Sequence, residues 1–306
     1  MAQQTVKHVT GQPAGIKKKS FVTRLLTSVI YAAVFLICII VGNQFFVLPL
    51  FCALLCLVGC GEFYRITSPH MNRIPRIIGT ALAVSLPLIA AAARLHTEQL
   101  PVLGTGGLAG LIALFYAIII GSFMILSWAA FTPTSTIRDS ALSLFGALYL
   151  GVPLAALVLI RDMKGGIIFA CMTVFSIWAA DSCAYLGGSL FGKHKIAPVI
   201  SPKKSWEGFF AGMLGSVIVW AALPYFMDMQ VNVLIMIAIG ILVALAAFVG
   251  DLFESRLKRE AKVKDSGTIL PGHGGVLDRI DSTLAVSTLL FLILSIVGTY
   301  LGIVSL

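Results

Sequence analysis

The sequence predicts an all-α integral membrane protein, a polytopic helical bundle of about nine transmembrane helices with its N-terminus in the cytoplasm. Three observations predict it. Hydrophobic residues make up 58% of the 306 and charged residues 11%, with a mean hydropathy of +0.99. Soluble domains carry about 25% charged residues, and no soluble core absorbs this much apolar sequence. The apolar residues fall in runs long enough to cross a bilayer and lack strand-like alternation; a helix satisfies its own backbone in lipid. Finally, nineteen of the 22 Lys+Arg fall on one side of the nine-span count, as the positive-inside rule requires.

Residues 1–24 form a polar, basic cytoplasmic arm, with Lys17, Lys18, Lys19 and Arg24 ahead of the first span, 25–42. That beginning resembles a signal peptide. The apolar run is long for one, lacks a small-x-small cleavage site and is followed by further spans, so it reads as a retained helix. The second span, 45–61, carries Cys52, Cys56 and Cys60 on one face. With no His or Cys-x-x-Cys beside them they are packing residues, and the six cysteines make no disulfide framework.

The third, fourth and fifth spans are 77–93, 106–130 and 140–160, the fourth entered through Gly104, Gly106, Gly107 and Gly110. The sixth, 166–180, closes at Asp181. The seventh, 207–226, bears Gly208, Ala211, Gly212 and Gly215, small residues suited to close packing within the chain or between chains. The eighth, 231–250, closes at Asp251, and the ninth is 282–303. The chain thus divides into the arm, an N-terminal membrane region 25–160, and a C-terminal region 161–306 with cytoplasmic loops 181–206 and 251–281. Only Arg94, Arg161 and Lys164 face outward. The net charge of +9 therefore reflects topology, and no nucleic-acid partner is expected.

Two polar clusters could carry chemistry. The first is 250–282, with six of the 22 Lys+Arg. Charge this close to a bilayer is expensive and usually functional. If the eighth helix continues, Asp251, Glu254, Ser255 and Lys258 share a face. Pro271-Gly272-His273-Gly274-Gly275 can turn sharply and bring amides near phosphate, though such turns are common. Asp278 and Asp281 stand at i and i+3, with Arg279 pointing elsewhere. Asp251, Asp278 and Asp281 make a set of hard oxygen ligands suited to Mg²⁺ on a nucleotide phosphate; a helix cap is the plainer role for the last two. In the second cluster, 181–208, Ser201-Pro202 reads as a helix N-cap followed by Pro at the first helical position. Lys203 and Lys204 then sit in a first turn, where cations oppose the helix dipole unless an anion lies between them. Ordinary topology or anionic headgroups explain the lysines equally simply. Trp206 reads as an interfacial anchor.

Taken together, these residues resemble a known family. The run SRLKREAKVKDSGTILPGHGGVLDRID closely matches, without a gap, the signature of phosphatidate cytidylyltransferases, or CDP-diacylglycerol synthases. The matching positions are Ser255, Lys258-Arg259, Lys264-Asp265, His273-Gly274-Gly275 and Asp278-Arg279-Ile280-Asp281. The stretches AYLGG, FGKHK, ISPKKSWEG and GDLFES are similar as well. The likeness covers about 178–283. The N-terminal half is similar only as a multi-span region, with Glu62-Phe63-Tyr64 a faint echo.

The resemblance implies transfer of the cytidylyl group of CTP to phosphatidate, giving CDP-diacylglycerol and pyrophosphate. It implies Mg²⁺ on Asp251, Asp278 and Asp281, with room for a second cation such as K⁺, and a homodimer. Lys264 and Arg279 join the three aspartates as catalytic groups. Asp181, Ser201, Lys203, Lys204, Ser205, Ser255, Lys258, Arg259, His273, Gly274 and Gly275 are expected to bind substrate. The lipid phosphate is already an oxyanion, so the chemistry needs neutralised charge and positioning rather than a strong base. The expected location is a bacterial inner membrane, with the site on its cytoplasmic side. Two other readings compete: a CTP-dependent polyprenol or dolichol kinase, and a transporter. The kinase would move the γ-phosphoryl group. A transporter would place charge near the bilayer midplane, whereas here it gathers at one surface.

Overall fold

The structure, a computed structural model, describes residues 14–42, 46–97, 106–163, 165–227, 232–269 and 274–298. Its helices are α1 (Ala14–Val41), α2 (Val47–Thr67), α3 (Arg73–Thr97), α4 (Gly106–Phe131), α5 (Ile137–Asp162), α6 (Gly166–Phe191), α7 (Trp206–Met227), α8 (Val233–Glu260) and α9 (Leu277–Ile293). A short antiparallel hairpin, β1 (Lys195–Ala197) and β2 (Ser201–Ser205), joins α6 to α7, pairing Lys195 with Ser205. Among the described residues, eight helices are long and apolar enough to cross a membrane, and α1 adds a shorter apolar stretch, Val29–Val41. The chain is an all-α, polytopic membrane bundle.

Helix α5 is central, with 72% of its span buried against 17% for α4, which turns Phe115, Phe123 and Leu126 outward. An aromatic cluster joins three helices. Tyr149 of α5 stacks on Phe145 at 5.8 Å and meets Phe253 of α8 edge-on at 5.3 Å, while Phe63 of α2 lies 6.0 Å from Tyr149. Such pairs contribute about 0.5–1.5 kcal/mol beyond the area they bury. Tyr64 donates to the Ser143 carbonyl at 2.8 Å, and Ser143 Oγ donates to the Pro75 carbonyl at 2.6 Å, tying α2, α5 and α3.

The small-residue face of α7 packs within the chain. A Cβ added at Gly212 would lie 2.8 Å from the Ala180 carbonyl, and one at Gly215 would lie 2.9 Å from that of Ala179. Glycine lets α7 lie directly on the α6 backbone.

Several expected boundaries move. Helix α6 does not stop at 180 but runs on to Phe191, so Asp181 stands inside it. The following DSCAYLGGSLF is small and apolar enough to continue a helix, and one carboxylate does not end it. Likewise α8 passes Asp251 and ends at Glu260, and α9 begins at Leu277 rather than 282. Ser201 and Pro202 do not cap a helix. They lie in β2 with Lys203 and Lys204, and α7 starts at Trp206. The cap is Ser205, whose buried Oγ accepts from Gly208 N at 3.2 Å.

Candidate active site

Two cavities meet at Asp181. One, of about 310 Å³, opens between α6, β2, α7 and α8 and is lined by Asp181, Tyr185, Lys203, Lys204, Ser205 and Asp251. The other, of about 340 Å³, lies between α1, α6 and α9; Tyr31, Trp178, Asp181, Asp278, Arg279 and Asp281 line it. Arg279 was expected to point away from the aspartates, yet it lines the cavity with them.

The first cavity is held open by the hairpin. Glu207, in the first turn of α7, accepts from the backbone N–H of Lys193 and His194 and pairs with His194 Nδ1 at 2.6 Å. Arg259 donates to the Ile200 carbonyl at 3.2 Å, so the hairpin turn is tied to the end of α8. These contacts aim β2 along the cavity. Lys204 Nζ then reaches Asp251 Oδ2 at 2.9 Å and lies 4.7 Å from the centre of the Phe248 ring. Lys203 is exposed at the rim, and Tyr185 offers a ring that is 76% exposed.

Helices α8 and α9 bring the carboxylates together. A Cβ added at Gly250 would lie 2.6 Å from the Asp281 carbonyl, and Ser282 Oγ donates to the Ala247 carbonyl at 3.3 Å. Asp251 and Asp281 therefore flank one helix crossing. Asp181, Asp251 and Asp281 lie within electrostatic reach of one another, with Lys204 and Arg279 opposing the first and Lys258 the last. Asp251, Glu254, Ser255 and Lys258 do share a face of α8. Ser255 Oγ donates to Asp251 Oδ1 at 3.3 Å, and Lys258 pairs with the fully buried Glu254.

Asp278 has different surroundings from Asp281. Its Oδ1 accepts from Lys258 Nζ at 2.6 Å, and its Oδ2 accepts from Ser266 N, Ser266 Oγ and Gly275 N at 2.8, 2.9 and 2.8 Å. Both oxygens are thus engaged by the protein, and the side chain is 5% exposed. Among the described residues, no three His, Cys, Asp or Glu side chains form a group that could hold a metal ion. Of the expected trio Asp251, Asp278 and Asp281, Asp278 lines the second cavity with Asp281 but has both oxygens already held by Lys258, Ser266 and Gly275. Mg²⁺, however, commonly takes one or two carboxylates and completes its shell with phosphate and water. Asp251 and Asp281 are a donor pair of that kind, with Asp181 beside them.

Of the other expected residues, Ser201, Ser255, Lys258, Arg259 and Lys264 line neither cavity. Lys264 is exposed on the loop after α8. Gly274 takes a φ of 80° and Gly275 is buried beside Ser266, both shaping that loop. His273 lies outside the described residues. Sequence reasoning placed Glu254 on the face it shares with Lys258, with which it pairs, and gave Glu62 no role. Glu62, on α2, is 1% exposed and accepts from Val276 N and Leu277 N at the start of α9 and from Ser266 Oγ. The signal was present: like Asp251, Glu62 is a carboxylate directly after an apolar run.

A model of the cytidylyltransferase family matches residues 22–297. The chain belongs to the cytidylyltransferase family. Relatives named phosphatidate cytidylyltransferase from Staphylococcus epidermidis and Staphylococcus aureus are each 35% identical over 272 residues, covering 89% of this chain and 98% of theirs. One from Staphylococcus haemolyticus is 33% identical over the same coverage. Membership extends beyond the signature to the N-terminal helices, so Glu62 and the α2–α5 packing fall within the region matched to the cytidylyltransferase family.

Proposed function

We propose that the protein transfers the cytidylyl group of CTP to phosphatidate, releasing pyrophosphate and forming CDP-diacylglycerol. The observation that carries the reading is the pair of cavities sharing Asp181. One has a lysine pair and an exposed aromatic ring suited to a nucleoside triphosphate. The other sits among membrane helices with Arg279 beside carboxylates, suited to a lipid phosphate. Family membership and the curated relatives support the same reaction.

In this reading a phosphatidate oxygen attacks the α-phosphorus of CTP in line. The bond from that phosphorus to the oxygen bridging to the β-phosphate breaks, and pyrophosphate leaves with the electron pair. The nucleophile is already anionic, so no side chain need remove a proton from it. The obstacle is bringing two anions together, and fixed cations serve that purpose. Lys204, braced by Asp251 and Phe248, faces the triphosphate, while Lys203 steers from the rim. Arg279 holds the lipid phosphate. Asp251 and Asp281, with Asp181 alongside, would hold Mg²⁺, which supplies charge neutralisation on the phosphates. Asp278 fixes the loop that presents Asp281. The reacting groups lie in region 161–306, and the N-terminal helices form its support. The N-terminus and both charged segments face the cytoplasm across nine spans, because nineteen of the 22 basic residues then lie inside.

Purified protein should convert CTP and phosphatidate only with a divalent cation present. Label in the α-phosphate should enter lipid and label in the γ-phosphate should leave as pyrophosphate. Lipid carrying γ-label and no α-label would exclude cytidylyl transfer and establish the kinase reaction.

A further inference from the structure

We propose that Glu62 is a positioning residue of the transferase, a remote cap that sets the aim of α9 and hence of Asp281. Helix α9 has no side-chain cap of its own. Its N-cap position is Val276, which cannot accept a hydrogen bond through its side chain. The first N–H groups of a helix need acceptors, and buried ones need them most. Here they come from α2. Glu62 Oε1 accepts from Val276 N at 3.1 Å and Oε2 accepts from Leu277 N at 2.8 Å. A carboxyl group at a helix N-terminus also suits the helix dipole.

The same group organises the loop before α9. Ser266 Oγ lies 3.1 Å from Glu62 Oε2 and 2.9 Å from Asp278 Oδ2, so one hydroxyl bridges the two acids. The backbone is pressed against Glu62 from two sides. A Cβ added at Gly267 or at Gly275 would collide with its carboxyl oxygens. Beneath it, Phe63 packs on Phe145 and Tyr149, and Phe253 on the same pair precedes Glu254 of α8. One aromatic block thus supports α8 and carries the group that aims α9. This gives α2 a role in the chemistry without contact with either cavity, since Glu62 lines neither.

The proposal rests on assigning Asp251 and Asp281 to the reacting centre, and Asp281→Asn tests that assignment separately. Glu62→Gln replaces an acceptor oxygen by an NH₂ group facing N–H donors. Displacement of a catalytic group by about 1 Å can cost roughly a hundredfold in rate. The full-length protein in lipid nanodiscs is expected to lose ~10- to 100-fold in kcat per folded molecule. KM for CTP, governed by the β2 lysines, should stay within about twofold, as those residues do not touch Glu62. Amide exchange in a peptide spanning 274–280 should quicken. Gly61→Ala, whose new Cβ meets nothing within 4 Å, should be neutral in all three.

An unchanged kcat per folded molecule in Glu62→Gln, with Asp281→Asn inactive, overturns the positioning role and leaves the site intact. A raised KM for CTP at constant kcat overturns it too. Near-normal turnover by Asp281→Asn sinks the assignment of the site itself. Should Glu62→Gln fail to fold, Ser266→Ala decides, because it removes only the bridge between the two acids. A loss of a few-fold or more in its kcat, with the exchange change, supports the proposal; full activity refutes it.

Discussion

Lys204→Met removes one ammonium group and little else. The methionine retains an unbranched stem against the Phe248 ring, which Lys204 Nζ approaches at 4.7 Å. What disappears is the cation 2.9 Å from Asp251 Oδ2, at the wall of the cavity proposed for CTP. Lys204 is 19% exposed and Asp251 is 37% exposed. The aspartate can therefore be rehydrated, and the folded protein should survive. The phosphate facing Lys204 loses a charge-assisted contact worth about 1.5–3 kcal/mol. At 1.36 kcal/mol per tenfold, kcat/KM for CTP should fall roughly tenfold to 150-fold. Lys203 provides the contrast. It neighbours Lys204 in β2, so its side chain leaves the opposite face of the strand, and it is exposed. Exposed charges contribute about 0–1 kcal/mol, so Lys203→Met should cost at most about fivefold, and less in high salt. Initial rates at varied CTP and saturating phosphatidate measure both. Equal losses at the two positions, or a larger one at Lys203, would refute the reasoning.

Two further outcomes follow from the packing and the topology. Gly212→Val places a side chain against the Ala180 carbonyl, 2.8 Å from the new Cβ; overpacking of this sort costs about 1–3 kcal/mol, so the thermal unfolding midpoint in detergent should drop, and an unchanged midpoint would mean that α6 and α7 are not this close. A cysteine at Lys264, exposed after α8, should resist an impermeant maleimide added to intact cells and react after permeabilisation; ready labelling from outside would reverse the proposed orientation.

The bundle was legible because lipid leaves few options. Long apolar runs must be helices, and their centres fell where expected. The ends were harder, and for one reason. A charged residue was taken to close a span at Asp181 and at Asp251, yet both lie inside continuous helices that carry them to the walls of the cavities. A helix that extends past the hydrocarbon layer costs nothing in backbone hydrogen bonds, so charge marks depth rather than termination. The hairpin was illegible for a related reason. Ser201-Pro202 has the local grammar of a helix start, but the pairing of β2 with β1 and the cap at Ser205 prevail. Local preference is a weak prior where tertiary contacts decide.

The fate of the two aspartates in Asp278-Arg279-Ile280-Asp281 shows what spacing alone cannot distinguish. At i and i+3 they share a helical face and look equivalent. They differ in what precedes them. Asp278 stands in the first turn of α9, where the chain has just turned through Gly274 and Gly275, and the amides of that turn and of Ser266 converge on it. Lys258 completes its contacts, so Asp278 is spent on holding the loop. Asp281 is one turn deeper. Both line the second cavity, but the only hydrogen bond described for the Asp281 carboxylate comes from Ser282 N at 2.6 Å. One carboxylate thus has both oxygens held as a clamp, and the other carries a single described hydrogen bond. Mutating either is expected to impair turnover, for different reasons, so loss of activity alone cannot assign metal binding. The division of labour also explains why the acidic and basic residues of this segment are so dense. Lys258 pairs with both Glu254 and Asp278, and Ser266 Oγ joins Asp278 to Glu62, so these groups hold one another while Asp251 and Asp281 flank the α8–α9 crossing.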